Sequence, residues 1–260
     1  MLQLRDISKR FSVGSNRETV ALDHLDFVLG LGEFVVMVGE NGSGKSTLFR
    51  VVTGEVHADS GRVFFGATDA SRMPPHKRAR YVTHIHQSRE SGLPLSLTVE
   101  EVMRLAYESR GFANARPRSV WQGAAERLER FRYGLSRVLK EQIWNLSGGE
   151  HQLVSLAVAS VFADGQPKGS HVLLLDEHVS QLDPVAHDVV MEATDRLIRD
   201  GELSTIMATH NCELAVRYGD RQIVLSRGRV ARDLGGDARI RSAEGLKECV
   251  SIAGLRGKLD

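Results

Sequence analysis

Gly39-Glu-Asn-Gly-Ser-Gly-Lys-Ser-Thr47 carries the residue types and the spacing that hold a polyphosphate. It follows an apolar run, Phe34-Val-Val-Met-Val38, and precedes a segment with helical character, Leu48-Phe-Arg-Val-Val-Thr53. In a strand, glycine-rich loop and helix arranged this way, backbone N–H groups and the helix N-terminus face phosphate oxygens. Gly39, Gly42 and Gly44 let the chain bend so that those groups point inward. Lys45 supplies a point charge for the β- and γ-phosphates, and the Ser46 hydroxyl is set to ligate Mg²⁺. Asn41, Ser43 and Thr47 complete the nucleotide-binding stretch. The loop predicts binding of a nucleoside triphosphate and leaves open what the energy is used for.

Two further clusters carry chemistry. Val172-Leu-Leu-Leu-Asp-Glu177 ends a buried-strand pattern in two acids. Asp176 is placed to hold Mg²⁺, directly or through water. Glu177, one residue on, can polarise an attacking water as a general base or water-positioning group. Two adjacent acids at a strand end can also be plain surface charge; the apolar run before them and the phosphate loop upstream favour a site. Leu146-Ser-Gly-Gly-Glu150 opens a helix-like segment, and a Ser-Gly-Gly helix start offers free N–H groups to an anion. Taken alone it is a common turn and helix cap. Its position between the phosphate loop and the acidic pair makes it a third candidate.

The elements that must position these groups follow from periodicity and turn residues. Residues 2–7 and 20–28 read as strands, 30–33 as a turn into the loop-feeding strand, and 61–66 and 81–86 as further strands. From 88 to about 144 the character is helical. Thr98 with Glu101 forms a capping-box pattern, and 124–131 reads as a second helix. Residues 172–176 are fully apolar before Asp176, as in a buried parallel sheet, and 203–209 and 221–225 read as strands. The tail from Gly235 reads as a short closing helix. No internal repeat or low-complexity tract is present.

Composition bounds the function classes. The chain has 260 residues, 42% hydrophobic, enough for one large domain with a subdomain and a core that needs no staples. A net charge of +1 gives no global case for nucleic-acid binding, and His76-Lys-Arg-Ala-Arg80 reads as a solvated surface run. Cys212 and Cys249 are too far apart in sequence for a disulfide framework or metal-spacing pattern, so reduced thiols are expected. No run approaches the roughly 18 to 20 apolar residues that span a bilayer. The N-terminus lacks a signal-peptide pattern, so a soluble chain is expected, with any membrane link made through a partner.

In their order and spacing these motifs resemble the ATP-binding cassette (ABC) ATPases, from about residue 2 to 232. Leu146 to Glu150, with Ser147, Gly148 and Gly149, looks like the family signature; Phe11 lies where an aromatic residue stacks on adenine. Gln87 looks like the Q-loop glutamine, Ser180-Gln-Leu-Asp183 like the D-loop, and His210 in Thr209-His-Asn211 like the switch histidine. Some positions depart from the pattern. His-Gln-Leu after Glu150 lacks the usual arginine, His178 replaces a proline, Gln181 stands where alanine is commoner, and 162–170 reads as an extended surface loop.

The resemblance implies an α/β fold with a P-loop NTPase (RecA-like) core, an antiparallel β subdomain and an inserted α-helical signature subdomain at about 88–160. A single domain would cover 1–235, followed by a helical tail over 236–260. It implies ATP hydrolysis in which Lys45 neutralises phosphate, Ser46, Gln87 and Asp176 organise Mg²⁺, Glu177 orients water and His210 contacts the γ-phosphate. The signature would face the nucleotide of a second copy in a head-to-tail homodimer. A transmembrane permease is the implied partner, with the chain cytoplasmic and peripheral on the inner face of the membrane. Residues 88–107 would face that permease, and Gly92-Leu-Pro-Leu-Ser-Leu97 either contributes to that surface or packs internally. Pro75-His-Lys-Arg-Ala-Arg-Tyr81, Leu174-Leu-Asp-Glu-His178 and Ala208-Thr-His-Asn211 look like a bacterial amino-acid uptake subgroup of tryptophan/tyrosine type, served by a substrate-binding protein. The alternatives are lipoprotein-release, export or cell-division complexes and non-transport members.

Overall fold

The computed structural model describes residues 1–12, 14, 18–109, 117–164, 166–201 and 203–256. They form two compact units, and the first gathers the described residues of Met1–His84, Pro167–Glu177 and Glu202–Asp260. Its antiparallel sheet has strands β1 (Leu2–Phe11), β2 (Thr19–Leu29), β4 (Ser60–Phe65) and β5 (Thr68–Asp69) in the order β2-β1-β4-β5. Alternation puts Leu22, Leu25, Phe27 and Leu29 on the core side. In β1 the buried positions are Leu2, Leu4 and Ile7, which break strict alternation. A register shift between Leu4 and Ile7, with Asp6 at φ 53°, turns the strand so that both side chains face inward.

The larger sheet adds β3 (Phe34–Val38), β6 (Val82–Ile85), β7 (Val172–Asp176), β8 (Ser204–Thr209), β9 (Arg221–Ser226) and β10 (Arg229–Gly235), in the order β10-β9-β3-β8-β7-β6. Pairs β9/β3, β3/β8 and β8/β7 are parallel, and β9/β10 is antiparallel. Every residue of β3, β7 and β8 is buried, which is why these strands are continuous apolar or small-residue runs rather than alternating ones. Because β3, β8 and β7 are parallel neighbours, their C-terminal ends meet at one edge.

Helix α1 (Lys45–Thr53) packs Leu48, Phe49, Val51 and Val52 into the core and ends at Gly54, whose φ of 82° suits a left-handed cap. The basic stretch at 76–80 is not wholly solvated. Arg78, the last residue of α2 (Pro75–Arg78), is 1% exposed. Its guanidinium donates to Val51 O at 2.6 Å, Val52 O at 3.0 Å, Met73 O at 2.9 Å and Ser71 O at 3.1 Å. Two of those acceptors are last-turn carbonyls of α1, where the helix dipole favours a cation. Helices α7 (Cys212–Tyr218) and α8 (Ala243–Arg256) complete this unit.

The second unit gathers the described residues of Ile85–Gln166 and His178–Gly201. It holds α3 (Val99–Tyr107), α4 (Pro117–Phe131), α5 (Gly148–Ala163) and α6 (Pro184–Gly201). Helix α5 is buried on every side from His151 to Val161, with α3, α4 and α6 packed around it. Two sequence boundaries move. Helix α4 starts at Pro117, well before residue 124, because proline fits a first helical position. Phe162 and Ala163 belong to α5 rather than to a loop; no helix breaker precedes Asp164, whose N–H still bonds Ser160 O at 3.2 Å.

Candidate functional site

In the first unit the phosphate loop is shaped by close backbone approach. A Cβ on Gly39 would lie 2.4 Å from Leu225 O, and one on Gly44 would lie 2.5 Å from Ala21 O. Gly44 adopts φ 109° ahead of α1, which has no side-chain cap at its N-terminus. Gly228 N–H donates to Ser43 O at 2.8 Å, tying the β9–β10 turn to the loop. Asn41 and Gly42 are exposed, Gly42 at φ 79°, and Thr47 is half-buried in the first turn. The buried Ser43 Oγ has no hydrogen-bond partner among the described residues. An orphaned hydroxyl inside a ring of backbone N–H groups fits a phosphate oxygen.

Lys45 is buried, and its ammonium donates to Gly39 O at 2.8 Å and Glu40 O at 3.2 Å. Burial pulls its pKa down, against the opposing charges of Glu177 and Asp176. Asp176 ends β7 and is buried. Desolvation pushes its carboxyl up, opposed by a hydrogen bond from Ser46 and by the charges of His84 and Lys45. A buried carboxylate whose neighbours do not offset its desolvation fits a hard divalent cation, with the Ser46 hydroxyl alongside as a second oxygen donor.

Glu177 sits one residue past the strand in a left-handed conformation, φ 46°, unusual for a side chain with a Cβ. Its N–H donates to Ala208 O at 3.0 Å, which holds that backbone against β8. Its Oε2 lies 3.2 Å from His210 Nδ1. His210 is exposed but framed by fixed neighbours. Thr209 Oγ1 accepts from Asn211 N–H at 3.0 Å, and Asn211 Oδ1 caps α7 through Glu213 N–H at 2.8 Å. An Asn ahead of a helical run is a capping signal, so this anchor was readable from the sequence. The first unit thus brings Lys45, Ser46, Asp176, Glu177 and His210 onto adjoining strand ends. Phe11, at the end of β1, is half-buried and outside the hydrophobic core, with Lys9 Nζ 5.5 Å from its ring centroid.

In the second unit the exposed Gln87 donates to Ser180 Oγ at 3.2 Å. Ser147 caps α5 in a full capping box: Glu150 N–H donates to Ser147 Oγ at 3.3 Å, and Ser147 N–H donates to Glu150 Oε2 at 3.0 Å. Gly148 and Gly149 form the first turn. A Cβ on Gly148 would lie 2.9 Å from Leu182 Cδ2, and one on Gly149 3.1 Å from Ala186 Cβ. Asp183 caps the neighbouring segment, accepting from Val185 N–H at 3.1 Å and Ala186 N–H at 3.0 Å. Ser147, Gly148, Gly149, Gln181 and Asp183 line a cavity of about 310 Å³ with Arg132 at its rim.

The departures at 151–153 have a packing reason: His151, Gln152 and Leu153 are all buried. Positive charge beside Glu150 comes instead from Arg137, whose Nη2 lies 2.5 Å from Glu150 Oε1, a residue the sequence did not single out. His178 is buried and bonds Thr194 Oγ1 through Nε2 at 3.1 Å. Burial, aided by the charge of His187, pulls its pKa down to about 3, so it is a neutral packing residue at physiological pH.

A family profile described as ABC transporter matches residues 22–180. The chain is 34% identical over 236 residues to a tyrosine transport ATP-binding protein of Clostridioides difficile, covering 90% of this chain and 92% of that one. It is 33% identical to the thiamine import ATP-binding protein ThiQ of Chelativorans sp., over 90% of this chain and 89% of the relative. A hemin import ATP-binding protein of Rhodopseudomonas palustris is 32% identical over 81% of this chain and 77% of its own. Among solved structures, the dimeric post-hydrolysis state of the ATP-binding cassette MJ0796 with ADP and Pi superposes with a TM-score of 0.75 at 25% identity, over 92% of this chain and all of that one. An ATP-binding subunit of an ABC transporter gives a TM-score of 0.76 at 24% identity over 96% of this chain and 99% of that one, a likeness of fold.

Proposed function

This chain belongs to the ABC transporter family of ATP-binding proteins, and we propose that it works as a head-to-tail pair of identical copies driving a separate membrane permease for uptake of an amino acid or other small solute. It is an ATPase with the P-loop NTPase fold. The observation that carries the reading is the cluster on adjoining strand ends: buried Lys45, desolvated Asp176, and Glu177 held 3.2 Å from His210.

In this reading the loop amides, Ser43 Oγ and Lys45 bind the β- and γ-phosphates of ATP, and Phe11 stacks on its adenine. Ser46 and Asp176 would hold Mg²⁺, which would supply charge neutralisation at the phosphate oxygens. Glu177 orients a water and accepts its proton as the water oxygen attacks the γ-phosphorus and the bond to the bridging oxygen breaks, leaving ADP and phosphate. The hydrogen bond from Glu177 N–H to Ala208 O fixes where that carboxylate starts. His210 contacts the γ-phosphate and steadies Glu177. Ser147, Gly148, Gly149 and Glu150 of one copy close over the nucleotide of the other, so ATP joins the pair and hydrolysis releases it.

The described residues contain no helix long and apolar enough to cross a membrane; in this reading the chain sits peripherally on the cytoplasmic face beside the permease. Leu93, Leu95 and Leu97 are half-buried and backbone bonds run from Ile143 N–H to Leu97 O and Trp144 N–H to Leu95 O, leaving Trp144 68% exposed as the apolar contact for that partner. Relatives named for tyrosine, thiamine and hemin are 34%, 33% and 32% identical to this chain, so in this reading the solute is chosen by the permease and a substrate-binding protein. We read the first unit as the nucleotide-holding part and the second as the signature part of one ABC domain. The decisive experiment is Glu177→Gln: hydrolysis falls about a hundredfold or more, ATP still binds, and the protein with ATP elutes as a dimer. Monomer alone in that experiment overturns the pairing.

A further inference from the structure

The phosphate loop contains an acid. Glu40 follows Gly39 in a cradle whose amides face anionic phosphates, and its main-chain carbonyl already accepts from Lys45 at 3.2 Å. Its carboxylate makes no hydrogen bond or ion pair among the described residues. Like charges at short range repel, so the direction in which this carboxylate points matters to ATP binding. It lies against the C-terminal helix. A Cβ built on Gly254 of α8 would stand 3.1 Å from Glu40 Oε1, 3.3 Å from Cδ and 3.4 Å from Oε2.

Helix α8 is fixed independently of that contact. Gln222, fully buried on β9, accepts from Ile240 N–H at 3.0 Å and donates to Ile240 O at 2.9 Å just before the helix. Arg239 donates to Val216 O, and Leu246 is fully buried. Near the far end Ser226 Oγ donates to Ala253 O at 3.3 Å. The helix beneath the exposed Glu40 is therefore anchored up to Ala253, and the carboxyl fits against it because residue 254 has no side chain.

We infer that Gly254 is a positioning residue for the phosphate loop: α8 holds the Glu40 carboxylate on the outer side of the loop, away from the triphosphate. A side chain at 254 displaces that carboxylate and weakens nucleotide binding. The inference rests on the reading of residues 39–47 as the ATP cradle.

The test compares Gly254→Ala and Gly254→Val in the full chain, by dissociation constant for ATP and by melting temperature. Alanine is a better helix former than glycine, so a purely structural role predicts an unchanged or higher melting temperature and unchanged affinity. The positioning role predicts weaker binding without loss of stability, about threefold for alanine and about tenfold for valine, a factor of ten being about 1.4 kcal/mol. Repeating both substitutions in a Glu40→Ala background closes a double-mutant cycle, and the loss of affinity should then shrink to within about twofold. Unchanged ATP affinity in Gly254→Val, or the same loss with and without Glu40, overturns the inference. A wild-type chain that binds no ATP would instead overturn the reading of the loop itself.

Discussion

Two helices of the second unit begin with the same four-residue device. At α3, Glu101 N–H donates to Thr98 Oγ1 at 3.2 Å and Thr98 N–H returns to Glu101 Oε2 at 2.8 Å. At α5, Ser147 and Glu150 repeat the exchange at 3.3 Å and 3.0 Å. The caps match; the residues between them do not. Helix α3 fills its first turn with Val99, which is buried, and Glu100, which pairs with Lys140. Helix α5 uses Gly148 and Gly149, packed against Leu182 and Ala186 beside a cavity. The cap itself is a stability device in both places. What the two first turns differ in is the removal of two side chains at α5, at a cost in helix propensity of about 1 kcal/mol per glycine, which under the proposed function opens that start to an anion.

The comparison breaks or sharpens under substitution, beginning with the first turns. Gly149→Glu places a carboxylate and a crowded Cβ where the amides face outward, and ATPase activity should fall about a hundredfold or more in protein that still folds. The reciprocal Glu100→Gly in α3 should cost about 1 kcal/mol of stability with the ATPase rate per folded molecule unchanged. Equal loss of activity in the two variants erases the distinction.

The cap residues come next. Ser147→Ala and Thr98→Ala should each cost about 1 kcal/mol in denaturant unfolding. Only the serine change should also slow steady-state hydrolysis, by about tenfold, if that hydroxyl meets a nucleotide as proposed. Matching rates would make both boxes purely structural.

The smallest effect is in acid. Hydrogen bonds from the Thr98 backbone and side chain hold the Glu101 carboxyl below the usual range. At Glu150 burial pushes the carboxyl up, but the Ser147 hydrogen bonds and the charges of Arg137 and Arg132 outweigh it and leave it lowered. Lowered carboxylates contribute stability above their unfolded pKa of about 4.3, and that contribution is lost as pH falls. Melting temperature followed from pH 6 downward should therefore fall less steeply in Glu101→Gln and Glu150→Gln than in the wild type, by similar amounts, since glutamine keeps a neutral version of the box. A flattened profile in one variant alone means that the two caps are electrostatically unlike.

What was legible in the sequence is what local rules decide. The buried strand before Gly39, both capping boxes and the apolar run ending in Asp176 follow from turn chemistry and periodicity. What was not legible depends on partners far along the chain. Arg78 looks like a surface charge until α1 brings the carbonyls of Val51 and Val52 to it. Leu4 and Ile7 share a face only because β1 slips register against β2. Glu177 and His210 become neighbours through the strand order that sets β8 beside β7, which no spacing encodes. Arg137 reaches Glu150 from a short 3-10 helix (Leu135–Lys140) that periodicity leaves blank.

The hydrogen bond from Gly228 to Ser43 bears on when this protein acquires its nucleotide site. The loop leaves the ribosome first, and its walls include Leu225 O and the turn at Gly228, made almost two hundred residues later. A nascent chain therefore carries an unformed cradle until β9 has docked beside β3. Nucleotide binding follows synthesis of β9 and the turn at Gly228 rather than synthesis of the loop. Premature termination between Thr47 and that turn yields a polypeptide that bears the intact motif and lacks the cradle.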